Sequence, residues 1–410
     1  MAFENNVGQS LLHIYRFCVA TIVTLTVWSW TFVAVADETP TSGPETFLGG
    51  PTSIPAQLDD LIDDDESSFL GRLESSYDLS IAADYAAMFQ AANAVLSGDK
   101  QGASGVFRLF GTWTAFGSGT RNRGSIIAKV EYRHAYGSTT PSDLAANTGY
   151  LGVNAISFTD VGAFVAPLYW QQYFADGTAG FVAGRLDPLD YVDVLGVGSQ
   201  WTSFQNASTI ANVALPLPDL GCGAGIGKTF NNQWIVALTA HDLNGSQTSM
   251  DCFPGGLELY KQAYIGWSPT RSQRFAQAFV LTLWHADSVD GGQDSGTGIA
   301  LSANWTFAEK WMPFVRVGIS DGEAAIMKSQ FSTGITYTFG RNRSQFGAAI
   351  SLQDPRATGL DDQTTFETYL RWQVTPSLAL TPNIQLLRNP ALNPQRSSIV
   401  LGGLRFRYTP

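Results

Sequence analysis

Hydrophobic and polar residues alternate with a period of two along most of this chain, most plainly over residues 364–408. There Thr368, Leu370, Trp372 and Val374 fall on one side of an extended run, and Glu367, Arg371 and Gln373 on the other. Leu380, Ile384 and Leu386 then oppose Asn383 and Gln385. After the turn at 389–394, Val400, Leu404, Phe406 and Tyr408 oppose Arg405 and Arg407. Such alternation places the two sets on opposite faces of a sheet. The same pattern recurs upstream. Phe107, Leu109 and Trp113 oppose Arg108, Thr112 and Thr114. Ile126, Val130, Tyr132 and Tyr136 oppose Lys129, Glu131 and Arg133. Further runs fall at 299–307, 331–339 and 346–353, each about ten residues long.

Connections between the runs alternate in length. Segments 230–233 and 340–343 read as hairpin turns, whereas 243–256 and 287–298 read as long loops on the opposite rim. Strands of this length, joined alternately by short and long connections, predict an all-β fold: a transmembrane antiparallel β-barrel of about 16 strands. Its apolar face points outward to lipid and its polar face lines a lumen wide enough for water. Two stretches are ambiguous. The aromatic-rich segment 160–176 is either a strand or a loop folded inward, and at 206–218 Pro216 and Pro218 forbid a central strand.

Composition supports this reading over a soluble sandwich or propeller. Charged residues are 14% and the mean hydropathy is zero, as expected when half of each strand faces lipid and half faces water. Lysine is scarce, blade repeats are missing, and Trp113, Tyr136, Trp267, Trp284, Trp305 and Tyr408 near strand ends fit an interfacial girdle. A net charge of -11 argues against nucleic acid as a partner.

Residues 1–36 read as a signal peptide: Arg16 precedes an apolar run ending at Val33, and Ala34-Val35-Ala36 supplies a small-x-small cleavage site. Residues 37–69, with four prolines and the acids Asp59, Asp60, Asp63, Asp64, Asp65 and Glu66, read as an acidic linker, mobile or lightly docked. They lack the spacing of a calcium loop. The barrel then occupies 70–410. Of the cysteines beyond the signal, Cys222 and Cys252 are either one disulfide stapling a loop or two separate thiols; an oxidising compartment favours the bridge.

Enzyme chemistry has little to stand on. His134, His241 and His285 follow the signal, with no His-Glu-x-x-His and no Gly-x-Ser-x-Gly, so an outer-membrane hydrolase is the weaker reading. The glycines of 221–227 lack a phosphate-loop ending and fit a strand with small inward residues. His134, beside Tyr132 and Tyr136, falls on the lipid-facing register. No cofactor or metal is expected.

The C-terminal residues resemble a known family. Glu367-Thr368-Tyr369, Pro382-Asn383-Ile384-Gln385, Asn389-Pro390 and Gly403-Leu404-Arg405-Phe406-Arg407 look like the closing signature of the carbohydrate-selective porins of the OprB type. Leu70-Gly71-Arg72-Leu73 is similar to the end of that family's N-terminal motif, and Tyr173-Phe174 with Ala183-Gly184-Arg185-Leu186-Asp187 to its central segment. Two features depart: a Gly-Asp-Trp-Gly-Gly run is absent, and the chain ends Tyr408-Thr409-Pro410. The resemblance implies an outer-membrane porin of a Gram-negative bacterium that passes small neutral solutes, monosaccharides such as glucose, by diffusion, and a homotrimer. A general or anion-preferring porin is the alternative.

A diffusion channel needs a constriction at which a polyol exchanges water for wall hydrogen bonds, binding weakly enough to leave. The inward charges Arg108, Lys129, Glu131, Arg133 and Arg185 are candidates, together with Trp170, Gln171 and Gln172 on a loop turned toward the lumen. The bland alternative is a mutually paired, solvated wall. Phe406 and Tyr408 are the candidate signal read by the barrel assembly machinery.

Overall fold

The computed structural model describes residues 49–61 and 69–410; the signal segment and Asp63, Asp64, Asp65 and Glu66 lie outside the described residues. Among the described residues there are sixteen strands. The first eight are β1 (Leu79–Ala92), β2 (Gln101–Phe116), β3 (Gly124–Ala135), β4 (Gly162–Phe174), β5 (Ala179–Leu186), β6 (Gly221–Phe230), β7 (Trp234–Asp242) and β8 (Leu259–Trp267). The second eight are β9 (Gln277–Ala286), β10 (Gly296–Trp305), β11 (Trp311–Gly322), β12 (Met327–Phe339), β13 (Ser344–Pro355), β14 (Gln363–Thr375), β15 (Leu378–Arg388) and β16 (Ser398–Tyr408). Each pairs antiparallel with its sequence neighbours, and β1 pairs with β16 to close the barrel. Closure leaves no edge strand, which is what allows a sheet to stand in hydrocarbon. No helix of the described residues is long and apolar enough to cross a membrane.

The alternation sets the register. On β2, Phe107, Leu109 and Trp113 are each more than 40% exposed on the outer face, while Arg108 between them is wholly buried inside. On β3, Ile126, Val130 and Tyr132 point out and Lys129, Glu131 and Arg133 point in. Connections are short at the rim where β1 begins and β16 ends, as at 231–233, where Asn231 and Asn232 take the positive φ of a tight hairpin. Those at the other rim are longer, reaching 136–161, 187–220 and 243–258. At the short-turn rim, Trp267 stacks on Trp305 and Trp311 packs against Tyr337, forming an aromatic belt. His134 lies outward as expected, stacked on Tyr132 with Nε2 3.2 Å from the Tyr85 hydroxyl.

Two expectations fail for identifiable reasons. Segment 160–176 is strand β4, and its register against β3 slips by one residue between Ala128 and Val130. The bulge, at a proline that cannot feed the ladder, reverses the parity of the later residues of the strand. Tyr169, Gln171 and Tyr173 therefore face the lumen, while Trp170 and Gln172 face out. Trp284 is no girdle residue: it sits on the inward register of β9, buried against Tyr260. Of the acidic linker, read as mobile or lightly docked, one part is docked. Over Ile54–Leu61 it forms a helix, α1, whose Ile54 and Leu58 are buried.

The lumen is correspondingly not an open water-filled tube. The 187–220 loop turns inward from the long-loop rim, and α1 enters beside β1–β3. Ile54 and Leu58 of α1 and Leu195, Val197 and Phe204 of the loop share one apolar cluster with the inward wall residues Phe110, Ile127, Phe314 and Tyr369. Phe204 meets Tyr369 edge to face at 4.8 Å. Inward positions are apolar where these segments cover them, since apolar surface there is removed from water. A second helix, α2 (Phe69–Tyr77), leads into β1.

Candidate pore constriction

A covered lumen places a demand on the 187–220 loop: buried backbone groups must find partners. The wall supplies them. The Glu367 carboxylate accepts from the amides of Gln205 and Asn206, at 2.7 and 3.0 Å. Gln330 accepts from the Val213 amide and donates to the Ser208 carbonyl, both at 2.6 Å. Arg316 forms an ion pair with Asp193 and donates to the Ile210 carbonyl; Arg405 donates to the carbonyls of Gln200 and Ser203. Gln262 donates to the Tyr191 carbonyl at 2.9 Å. The second half of the barrel wall is therefore occupied in holding the loop.

The first strands carry the remaining charge, arranged as a ladder across β1, β2 and β3. Asp84 lies opposite Arg108, and Arg108 lies opposite Glu131. Arg108 is ion-paired to Asp84, donates from Nη1 to Gln57 of α1 at 2.7 Å, and stacks under the Trp201 ring at 3.6 Å. Arg407 of β16 donates to the same Asp84 at 2.9 Å. Glu131 accepts from Lys129 on one side and Arg133 on the other, at 2.8 and 2.6 Å. Arg133 lies over Phe164 at 5.0 Å. Each charge has an opposite partner at contact distance, but two carboxylates serve four cations, so the wall offers paired donors and acceptors with a positive excess.

Burial raises the acids of the inward loop above the ordinary carboxylate range. Asp190 is pushed up to about 7, first by burial and then by the neighbouring charge of Asp187. Asp193 is raised by burial against the opposing pull of Arg316.

Of the residues expected at the constriction, Arg108, Lys129, Glu131, Arg133 and Gln171 are brought together on the inner wall of β2–β4, Gln171 donating to the Tyr173 hydroxyl at 2.8 Å. Arg185 is inward but differently engaged. Its guanidinium donates to the carbonyls of Val165, Ala166, Ser246, Gln247 and Ser249, so it anchors the 243–258 loop. Cys222 and Cys252 are joined by a disulfide, Cα to Cα 5.2 Å, which ties that loop to β6. Sequence reading missed Asp84, because alanines and other apolar residues lie on both faces of its strand, Ala82, Ala86 and Met88 inward and Ala83, Ala87 and Phe89 outward, and blur the alternation. It missed Asp193 and Gln57 because nothing in their own segments says that they lie inside a barrel. Among the described residues no group of His, Cys, Asp and Glu could hold a metal ion.

A closed sixteen-strand antiparallel barrel, narrowed by an inward loop and carrying a ladder of paired charges, has the architecture of the porin class. Residues 237–409 match the model of a family described as carbohydrate-selective porin, OprB family, so the resemblance read in the C-terminal signature is shown. The chain is 23% identical to Porin AaxA of Chlamydia pneumoniae over 309 residues, 72% of this chain and 69% of that protein. A high-pH structure of Pseudomonas putida OprB superposes with a TM-score of 0.66 at 13% identity, covering 84% of this chain and 97% of that one. A low-pH structure of the same protein gives 0.51 at 12% identity, covering 85% and 98%. At these identities the superpositions establish the fold.

Proposed function

We propose that this protein is an outer-membrane porin of a Gram-negative bacterium, exported by residues 1–36, through which small neutral polyols, monosaccharides such as glucose, diffuse passively. The pairing of charge along the inner wall supports this reading above any other observation. Asp84 bridging Arg108 and Arg407, and Glu131 bridging Lys129 and Arg133, present many hydrogen-bonding groups and leave no charge without an opposite partner. A neutral solute rich in hydroxyls exchanges its water for such groups at low cost and can leave again. The matching family's description as carbohydrate-selective points the same way. The alternative, an anion-preferring pore, draws on the number of inward arginines; their contacts with carboxylates and carbonyls weigh against it. The outward apolar belt suits outer-membrane lipid, and Phe406 and Tyr408 suit recognition by the barrel assembly machinery; a homotrimer follows from the family resemblance.

The test is swelling of liposomes carrying the refolded barrel. Glucose entering faster than a neutral amino acid or a small anion of equal size supports the reading. Ranking by size alone reduces the protein to a general sieve, and fastest entry by the anion supports the alternative.

A further inference from the structure

Gln247 occupies an unusual position at the long-loop mouth. Its Oε1 accepts from Arg133 Nη1 at 3.2 Å, and its Nε2 donates to Asp219 at 3.2 Å. A neutral amide therefore joins a wall cation to an acid at the end of the inward loop, with Thr159 of a third loop accepting from the same Arg133 nitrogen at 3.4 Å. The placement is enforced from behind. Arg185 donates to the carbonyls of Ser246, Gln247 and Ser249 at 2.6, 3.1 and 2.7 Å. Asp242 accepts from the amides of Asn244 and Phe253 at 2.9 and 2.7 Å, and the Cys222–Cys252 disulfide holds the far side of the loop.

We propose that Gln247 is a specificity-determining residue whose side-chain amide stands in for a vicinal diol of the solute, so that passage requires a neutral donor–acceptor pair to replace it on Arg133 and Asp219. The proposal rests on the reading of this chain as a pore for neutral polyols. An amide and a vicinal diol each offer an acceptor beside a donor, so a diol takes over both contacts and leaves neither charge unpaired. An anion replacing the amide meets Asp219, and a cation meets Arg133; each is disfavoured by the like charge. The arrangement keeps the mouth satisfied when empty and selects by charge and hydroxyl geometry without a deep binding pocket. Arg185 and the disulfide are positioning elements.

The experiment is single-channel recording of the full barrel in a planar bilayer, measuring glucose block of the ion current and the chloride-to-potassium permeability ratio. Gln247→Ala removes the built-in competitor. Glucose should then block with a dissociation constant lower by about two- to tenfold, the span of one modest hydrogen bond, and chloride permeability should rise because Nη1 of Arg133 keeps only the Thr159 hydroxyl as acceptor. Gln247→Glu should weaken glucose block by pairing permanently with Arg133. The double variant Cys222→Ser with Cys252→Ser should move both readouts part of the way toward those of Gln247→Ala. Wild-type block and permeability in Gln247→Ala, in a channel that glucose does block, would overturn the assignment of Gln247 alone. A conducting wild-type channel that glucose does not block would overturn the polyol reading and this inference with it.

Discussion

At the scale of single residues, the wall works by pairing. Glu131 holds two cations at once, and Arg133 faces the mouth. Exchanging both members, Glu131→Gln with Arg133→Ala, keeps the net charge and leaves Lys129 the field of Asp187. Sugar flux or conductance should change severalfold while the barrel stays folded, as heat-modifiable migration would show; unchanged flux would make the pair plain wall. Asp190 gives the loop a pH dependence. Burial raises its carboxyl to about 7 in the folded protein, against an ordinary value near 4, so the packed loop favours the protonated form. Its stabilising contribution is complete below about pH 4 and is lost as pH rises through about 7. Loop cleavage by added protease should increase across that window, and Asp190→Asn should flatten the dependence.

At the scale of elements, α1 and the 187–220 loop pack together in the lumen, and they are held differently. The loop is tied by Glu367, Gln330, Arg316 and Arg405, many of its backbone groups being satisfied by the wall. By contrast, α1 rests mainly on Ile54 and Leu58 packing beside Phe110 and Ile127, with Gln57 on Arg108. Ile54→Asp with Leu58→Asp places two carboxylates in an apolar setting, at a cost of several kcal/mol, which exceeds what a two-turn helix can offset. The helix should leave the lumen, and single-channel conductance should rise by about twofold or more. A conductance equal to wild type would show that α1 does not obstruct the path.

At the scale of the whole molecule, closure between β1 and β16 decides whether a barrel exists. Phe406 lies on the outward register of β16, opposite Ala87 of β1. Phe406→Asp puts a charge on the lipid face at a cost on the order of 1 kcal/mol or more and alters the terminal pattern read during assembly. The amount of heat-modifiable protein in the outer membrane should fall sharply; a wild-type level would contradict the outward register.

The alternation of Phe107, Arg108 and Leu109, or of Glu367 through Val374, was enough to determine sheet, strand direction, inner and outer faces and a barrel of about sixteen strands. A period of two is a local property, and burial in lipid on one side makes it nearly obligatory. The charges of β2 and β3 were legible for the same reason. What one bulge does to Trp170 and Gln172 was not, because a single inserted residue reverses every later side chain without changing the composition. Nor was the content of the lumen. Ile54, Phe204, Asp193 and Gln247 belong to segments without periodicity, and whether they lie in water or against Phe110, Arg316 and Arg133 depends on partners far away in the chain. Local sequence sets which way a strand faces; only the closed barrel brings those distant partners within reach and so decides what fills the space it encloses.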